Sequence, residues 1–361
     1  MKAAVCYEFG KPLVVEEIDI DPPQKGEVKV RLTATAICHS DIHIIRGEWG
    51  GEVPIVAGHE SAGIVEEVGE DVTITKSGDH VAVSLLRSCG RCFYCTTGAP
   101  YICEGRFALD TENRLHNKRG RPLQVGLRTG AFAEYVIVDQ SQVVPIPEKM
   151  PLDRASLLAC CVITGIGAVV NTAKVEPGSS VAVIGTGGVG LNTIQGAVLV
   201  GAYPIIAIDL LDSKLTAAQS FGATHTINTT QQEKPEKIVK ELTSGRGADY
   251  VFVTVGSAPA VIQGFNMIRD EGTVVIVGIP KSGTTVSLPV SQFVMGGGQR
   301  IMGSVMGSTR LSVDVPWLIN LYQHGRLKLD ELITARYPLE RINEAIEKME
   351  KGKALRNVIV F

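Results

Sequence analysis

The 361 residues carry 35 Lys and Arg against 38 Asp and Glu, a formal net charge of −3, with 45% hydrophobic and 20% charged residues. A chain of this length is expected to form two domains of about 150 residues each. It needs no disulfide staples to build a core, and its charge balance offers a polyanion such as nucleic acid no electrostatic footprint. Aromatic residues are scarce at 5%, while 39 glycines point to tight turns and close backbone approaches.

In chain order, Met1–Glu8 meets an acid before any apolar stretch develops, which predicts no signal peptide and a cytoplasmic protein. In that setting the 8 cysteines are expected to bind metal or do chemistry rather than form disulfides. The first 150 residues read as β-structure with loops. Val28, Val30, Leu32, Ala34 and Ala36 recur at period two, and Ile64, Val65 and Val68, then Val81 and Val83, follow between glycine-containing turns.

From Leu152 the texture changes to long apolar segments in which strand and helix alternate. Strands are predicted at 180–184, 205–209, 223–227, 250–255, 273–277 and about 301–305, with helices at 189–200, 214–221, 236–242 and 260–268 between them. Alternation of this kind implies a parallel sheet with right-handed crossovers. The uncharged stretch 177–208 belongs to that series as a buried strand-helix-strand, because Gly, Thr, Asn192, Gln195 and Pro204 interrupt it too often for a membrane span. Helices are predicted at 317–324 and 339–351, and Asn357–Phe361 as a strand returning to the first domain. The fold class is therefore α/β, a doubly wound parallel Rossmann sheet plus a mainly β domain. The expected boundaries are 1–160 with 306–361, and 161–305.

Cys89, Cys92, Cys95 and Cys103 form C-x2-C-x2-C-x7-C, a compact set able to place four thiolates round one Zn²⁺. Four protein ligands leave no open position, so this zinc is expected to be structural; the alternatives are a disulfide pair or a nucleic-acid zinc ribbon. A second set is dispersed: Cys38, His59 and Cys160. Each alone reads as an ordinary core or surface residue, but two Cys and one His together keep a fourth zinc position open, the arrangement of catalytic zinc.

Gly185, Thr186, Gly187, Gly188, Val189 and Gly190 form G-x-G-x-x-G between a predicted strand and a predicted helix, and Asp209 ends the next strand 19 residues further on. Such a turn lets the backbone approach a pyrophosphate at a helix N-terminus. Asp209 is placed to bond ribose hydroxyls and repel a 2′-phosphate, which favours NAD over NADP.

Together these features resemble the zinc-containing alcohol dehydrogenases of the medium-chain dehydrogenase/reductase family, over essentially the whole chain. The resemblance is carried by Gly58-His59-Glu60-x2-Gly63-x5-Gly69, the four-cysteine lobe, Cys38-x-Ser40-Asp41, the Gly-rich turn and the closing Leu355-Arg356-Asn357. It implies a GroES-like catalytic domain, two zinc ions per chain and NAD as cofactor. In its terms Cys38, His59 and Cys160 hold the catalytic zinc, Glu60 is a carboxylate beside it, and Asp41 orients the ligand histidine. Ser40 accepts the alcohol proton and His43 is the solvent-facing end of the relay. His39 and Arg356 match pyrophosphate contacts, and Thr164 and Lys214 match positions lining the cofactor cleft.

The expected chemistry is interconversion of an alcohol and its aldehyde by hydride transfer, with zinc lowering the pKa of the alcohol hydroxyl. Trp49, Leu85 and Leu86 would give the substrate channel apolar walls, which suggests a hydrophobic primary alcohol, aliphatic, allylic or aromatic. Trp49 stands where the glutathione-dependent formaldehyde dehydrogenase branch carries an acid, and Cys160 where the polyol dehydrogenase branch carries a carboxylate. Cys161 departs from the family pattern, so the choice of Cys160 as ligand rests on its spacing to Thr164. The basic run Lys118-Arg119-Gly120-Arg121 reads as solvated surface. Expected partners are the small-molecule substrate and a second copy or more of the chain, as a homodimer or homotetramer, with no nucleic acid and no membrane. The alternatives are a nicotinoprotein with permanently bound NAD and a non-catalytic zinc- or nucleotide-binding scaffold.

Overall fold

The computed structural model describes residues 1–361, the side chains of Gln292 and Val294 excepted. The chain divides into two compact units, Met1–Cys161 with Arg310–Phe361, and Val162–Thr309. The division falls after Cys161 and Thr309, where the sequence had suggested 160 and 305. Residues 306–309 stay with the second unit because Gly307 lies directly against Gly167 and its carbonyl accepts from the Asn171 side-chain amide at 3.3 Å.

In the first unit, alternating apolar residues build two sheets. The larger runs in the order Val143–Pro145, His80–Val83, Glu60–Val68, Glu27–Ala36, Arg356–Val360, Ile333–Pro338, with Tyr135–Asp139 also paired to Glu27–Ala36. Val28, Val30, Leu32, Val65, Val81 and Val83 fill one side of it as a buried cluster. The smaller sheet joins Leu115–Asn117, Val14–Ile20, Lys2–Cys6, Ile55–Val56 and Gln124–Val125. The terminal strand Arg356–Val360 does return to this unit, antiparallel to Glu27–Ala36 and parallel to Ile333–Pro338.

The second unit is one six-stranded sheet in which every neighbouring pair is parallel. Its order is His225–Asn228, Ile205–Asp209, Val181–Ile184, Ala248–Val253, Ile268–Ile276, Arg300–Gly303. Numbered along the chain this is 3-2-1-4-5-6, the doubly wound order. Strand Ile205–Asp209 lies where the sequence placed it, whereas the fifth strand begins at Ile268 instead of 273. In the first unit, the helix expected from Trp317 starts at Leu311 and runs through Pro316. Burial of Val315, Leu318 and Ile319 offsets the cost of an interior proline, about 3 kcal/mol.

The uncharged stretch forms strand Val181–Ile184, helix Gly188–Leu199 and strand Ile205–Asp209, as expected. Among the described residues no single helix is long and apolar enough to cross a membrane. Leu152–Leu158 and Cys161–Ala173 together are long and apolar, but the chain bends by 44° between them and their Leu157, Leu158, Val162, Ile163 and Ile166 are buried.

Candidate active site

Strand register brings the dispersed cysteine and histidine positions together. Ala36 pairs with Glu60 on one side and with Val358 on the other, so the ends of three strands deliver Cys38, His59 with Glu60, and Arg356 to one place. The helix Leu152–Leu158 packs on the same strands and leads into Cys160. Ser84 on the neighbouring segment ties in that end of the chain by donating its hydroxyl to the Ala159 carbonyl at 2.8 Å. The ligand atoms of Cys38, His59, Glu60 and Cys160 all lie within 4.8 Å of one another, and all four residues are buried.

Asp41 is the stitch between the first two ligands. Cys38 precedes the helix His39–Ile45, and its backbone N–H donates to Asp41 Oδ2 at 3.0 Å. Asp41 Oδ1 accepts from Gly58 N–H at 3.0 Å and from His59 Nδ1 at 2.7 Å. With Nδ1 engaged, Nε2 is the nitrogen left for the cluster, and it lies 3.2 Å from Cys160 Sγ. Gly58 makes the approach feasible: its φ is +94°, and a Cβ there would meet the Phe132 backbone nitrogen at 2.6 Å.

The electrostatics are those of a cluster whose protons a dication would displace. Hydrogen bonding to Cys160 holds the Cys38 thiol well below its usual range against the opposing effect of burial, and the same bond together with burial pushes Cys160 well above. Burial works against a charge on His59, but the Asp41 carboxylate outweighs it and holds the ring well above the ordinary imidazole range. Burial raises Glu60, opposed by Arg356, whose Nε is 3.8 Å from Glu60 Oε1. Glu60 Oε2 is buried without a hydrogen-bond partner. Two sulfurs and a directed imidazole nitrogen fit a borderline-soft divalent ion held by three protein ligands, and the unpartnered Glu60 oxygen lies where it would share the fourth position with a substrate oxygen.

The four-cysteine lobe is local and only half-buried. Cys92 begins the short helix Phe93–Thr96, and its Sγ accepts from Cys95 N–H at 3.5 Å; Cys103 Sγ accepts from Cys89 N–H at 3.3 Å and Gly105 N–H at 3.2 Å. Cys92 and Cys103 sulfurs are 3.8 Å apart. That matches the edge of a tetrahedron with Zn–S bonds of about 2.3 Å, about 3.8 Å. Sequence reading overlooked Arg87, which anchors the lobe. Its buried guanidinium bonds Gln142 at 2.6 Å, Asp110 at the lobe's exit at 2.7 Å and the Arg128 carbonyl at 3.3 Å.

In the second unit Gly187 precedes the helix Gly188–Leu199, whose first turn holds Gly188, Val189 and Gly190. A Cβ added to Gly187 meets nothing within 4 Å, so the backbone there lies open to a ligand at the N-terminus of a helix. Asp209 is docked against this turn: Oδ2 accepts from Thr186 N–H at 2.7 Å and its hydroxyl at 3.0 Å, and Oδ1 accepts from Leu210 N–H at 2.8 Å. These features fit a dinucleotide. Thr164 is buried, its hydroxyl 3.6 Å from Met306 Sδ, and Lys214 is half-exposed in the helix Asp212–Ser220.

His39 is exposed and Ser40 half-buried in the first turn of the helix His39–Ile45, which period-two reading did not foresee. His43 lies in its last turn, bonded to Glu48 and stacked on Trp49 with ring centroids 4.9 Å apart. Leu86 is buried and Leu85 half-buried. Arg356 is buried, donating to the Ile37 carbonyl at 3.3 Å and facing Glu60. Cys161 donates its N–H to Glu60 Oε1 at 3.2 Å, while its sulfur lies 3.5 Å from the Leu157 carbonyl and stands outside the metal-ligand group. The basic run is surface-bound, with Lys118 paired to Asp19 at 2.6 Å.

The description "Alcohol dehydrogenase GroES-like domain" matches residues 24–148 and "Zinc-binding dehydrogenase" matches residues 188–323. An alcohol dehydrogenase class-3 of Pisum sativum is 39% identical, with 99% of this chain and 97% of the relative covered. An NDMA-dependent alcohol dehydrogenase of Amycolatopsis methanolica is 38% identical over 99% and 98%. Among solved structures, an alcohol dehydrogenase zinc-binding domain protein of Burkholderia ambifaria is 34% identical with a TM-score of 0.94, covering 100% of this chain and 98% of that one. Benzyl alcohol dehydrogenase of Acinetobacter calcoaceticus is 33% identical with a TM-score of 0.92, over 100% and 99%. The chain belongs to the zinc-containing alcohol dehydrogenases of the medium-chain dehydrogenase/reductase family. It is an alcohol dehydrogenase, and zinc and NAD are the cofactors of that family.

Proposed function

We propose that this chain interconverts a hydrophobic primary alcohol and its aldehyde, with NAD as the exchangeable hydride carrier. The observation that supports this reading most is the buried Cys38–His59–Glu60–Cys160 cluster, with its histidine oriented by Asp41. Zinc bound there supplies a Lewis acid that lowers the pKa of an alcohol hydroxyl.

The chain's own residues divide the remaining work. Ser40 takes the alcohol proton and His43 passes it to solvent. Asp41 holds His59, and Arg356 balances the charge of Glu60. The open backbone at Gly187 receives the pyrophosphate, Thr164 and Lys214 line the cofactor site, and Asp209 selects NAD by repelling a 2′-phosphate. Trp49, Leu85 and Leu86 provide apolar walls for the substrate, a preference that the similarity to a benzyl alcohol dehydrogenase favours. The working form is a homodimer or homotetramer in the cytoplasm, with Met1–Cys161 and Arg310–Phe361 as catalytic domain and Val162–Thr309 as cofactor domain.

The test is formation of reduced nicotinamide by purified protein with NAD or NADP and a panel from ethanol through hexanol to benzyl and cinnamyl alcohols, with and without a zinc chelator. Chelator-sensitive turnover with NAD, rising toward the larger alcohols, is expected; turnover that is indifferent to chelation refutes the catalytic zinc. A second reading is favoured by the relative named for its dependence on NDMA: a nicotinoprotein in which NAD stays bound. Nucleotide that remains with the protein through purification, together with silence toward added NAD, would establish that reading instead.

A further inference from the structure

The turn after the helix His39–Ile45 holds a second histidine–carboxylate pair, apart from Asp41–His59. Arg46 N–H donates to the Ile42 carbonyl at 3.0 Å and Gly47 N–H to the Ile44 carbonyl at 2.9 Å, and the chain then reverses. Gly47 makes the reversal with φ of +68°, and a Cβ there would run into the Phe9 ring at 2.9 Å. Glu48 is thereby folded back: its N–H donates to the His43 carbonyl at 2.9 Å and its carboxylate meets His43 Nδ1. Trp49 covers the imidazole, stacked at 25° with ring centroids 4.9 Å apart. The pair is largely withdrawn from solvent, His43 at 20% and Glu48 at 15% side-chain exposure, so it is screened less than a surface ion pair. The neighbouring cation Arg46 is engaged with Glu350 at 2.5 Å, and the nearest acid on the helix, Asp41, is committed to His59.

We propose that Glu48 is a positioning residue for His43: it accepts the Nδ1–H of the neutral ring and so fixes the tautomer whose Nε2 lone pair receives the substrate's proton. This rests on the relay reading of Ser40 and His43. In that relay the alcohol hydroxyl gives its proton to Ser40 as Ser40 gives its own to a chain of intervening hydroxyl or water groups that ends at His43 Nε2. The ring becomes an imidazolium between Trp49 and the Glu48 carboxylate, and Nε2–H then passes the proton to water while Glu48 keeps its charge. A base oriented by a third group is the general arrangement of activated proton transfer, and the Gly47 turn supplies that group from five residues away.

The experiment uses the zinc-loaded enzyme. ¹⁵N-histidine spectra, with the His43 signals assigned by their loss in His43→Asn, report which ring nitrogen carries the proton. The burst of proton release on mixing with NAD and benzyl alcohol, followed with an indicator dye, reports the relay. Wild type is expected to show the Nδ1–H tautomer, retained in Glu48→Gln, which still offers an acceptor oxygen. Glu48→Leu is expected to move the ring to Nε2–H and slow the burst about tenfold, with KM for the alcohol within about twofold. An Nε2–H tautomer in wild type, or an unchanged tautomer or burst in Glu48→Leu, overturns the proposal. His43→Ala separates the two readings: an undiminished burst there refutes the relay itself, while the tautomer still decides what Glu48 does.

Discussion

Two cysteine clusters in one structural unit use nearly the same ligand chemistry by opposite means. The lobe of Cys89, Cys92, Cys95 and Cys103 is contiguous, half-buried and held by backbone N–H groups of its own segment. The cluster of Cys38, His59, Glu60 and Cys160 is drawn from three distant segments, fully buried, and held by strand register and the Asp41 carboxylate. A short loop that saturates four thiolates can fold round its ion almost independently of the rest of the chain. A site that must leave a position open and control protons needs a rigid, dry scaffold to hold its ligands apart from water.

The largest effects should fall on the dispersed cluster. Cys160→Ala is expected to lower kcat/KM for alcohol oxidation more than about 1,000-fold and to reduce zinc from two ions per chain to one, with NAD binding by fluorescence unchanged. Cys161→Ala, one residue along, should stay within about threefold of wild type, because the Cys161 sulfur, though it meets Glu60 and Arg356 as well as the Leu157 carbonyl, lies outside the metal-ligand group. Exchange of these two outcomes would move the ligand role to Cys161.

Next in size is Asp41→Asn, which alters the partner of His59 Nδ1 without touching a ligand. Zinc competition against a chromophoric chelator should show affinity weakened by about 10–100-fold at this site only. Equal weakening at both sites would mean that Asp41 supports the whole unit rather than one ligand.

Cys92→Ala should cost stability instead of chemistry. The expected result is a Tm about 5 °C lower and one zinc lost, with hydride transfer at 25 °C within about twofold. Lost turnover with an unchanged Tm would reverse the roles assigned to the two clusters.

The smallest effect is a difference in reactivity within the zinc-stripped lobe. Hydrogen bonds led by the Cys95 N–H bring the Cys92 thiol down to about 6, whereas burial and its bond to Cys92 push Cys95 up to about 12. Iodoacetamide at pH 7 should therefore label Cys92 before Cys95, and the Cys92 rate should fall as the pH drops through about 6, where its thiolate takes up a proton. Mass spectrometry of the labelled peptides checks both statements.

The contrast between the clusters also marks where sequence reading succeeds. C-x2-C-x2-C-x7-C is legible because all its ligands lie within one short stretch, and the Gly-rich turn because its steric demands fall on adjacent residues. Cys38, His59 and Cys160 are legible only by residue type and by the company of the four-cysteine lobe and the Gly-rich turn, with the family resemblance assigning their roles; their spacing alone carries no geometry. The roles of Arg87, Glu48 and the Glu60–Arg356 pair had no signal in sequence, since each depends on a partner that only the folded chain supplies.

By itself the sequence determined the alternation of strand and helix that makes a parallel sheet, the glycines that allow a pyrophosphate near the backbone, and the local zinc lobe. All of these follow from periodicity and short-range sterics. Tertiary structure alone decided that Ala36, Glu60 and Val358 lie side by side, that Asp41 reaches both Cys38 and His59, and that Trp49 lies on His43. Those contacts join residues distant in the chain, and only strand register and close packing choose them from the many pairings that the same residues would otherwise allow.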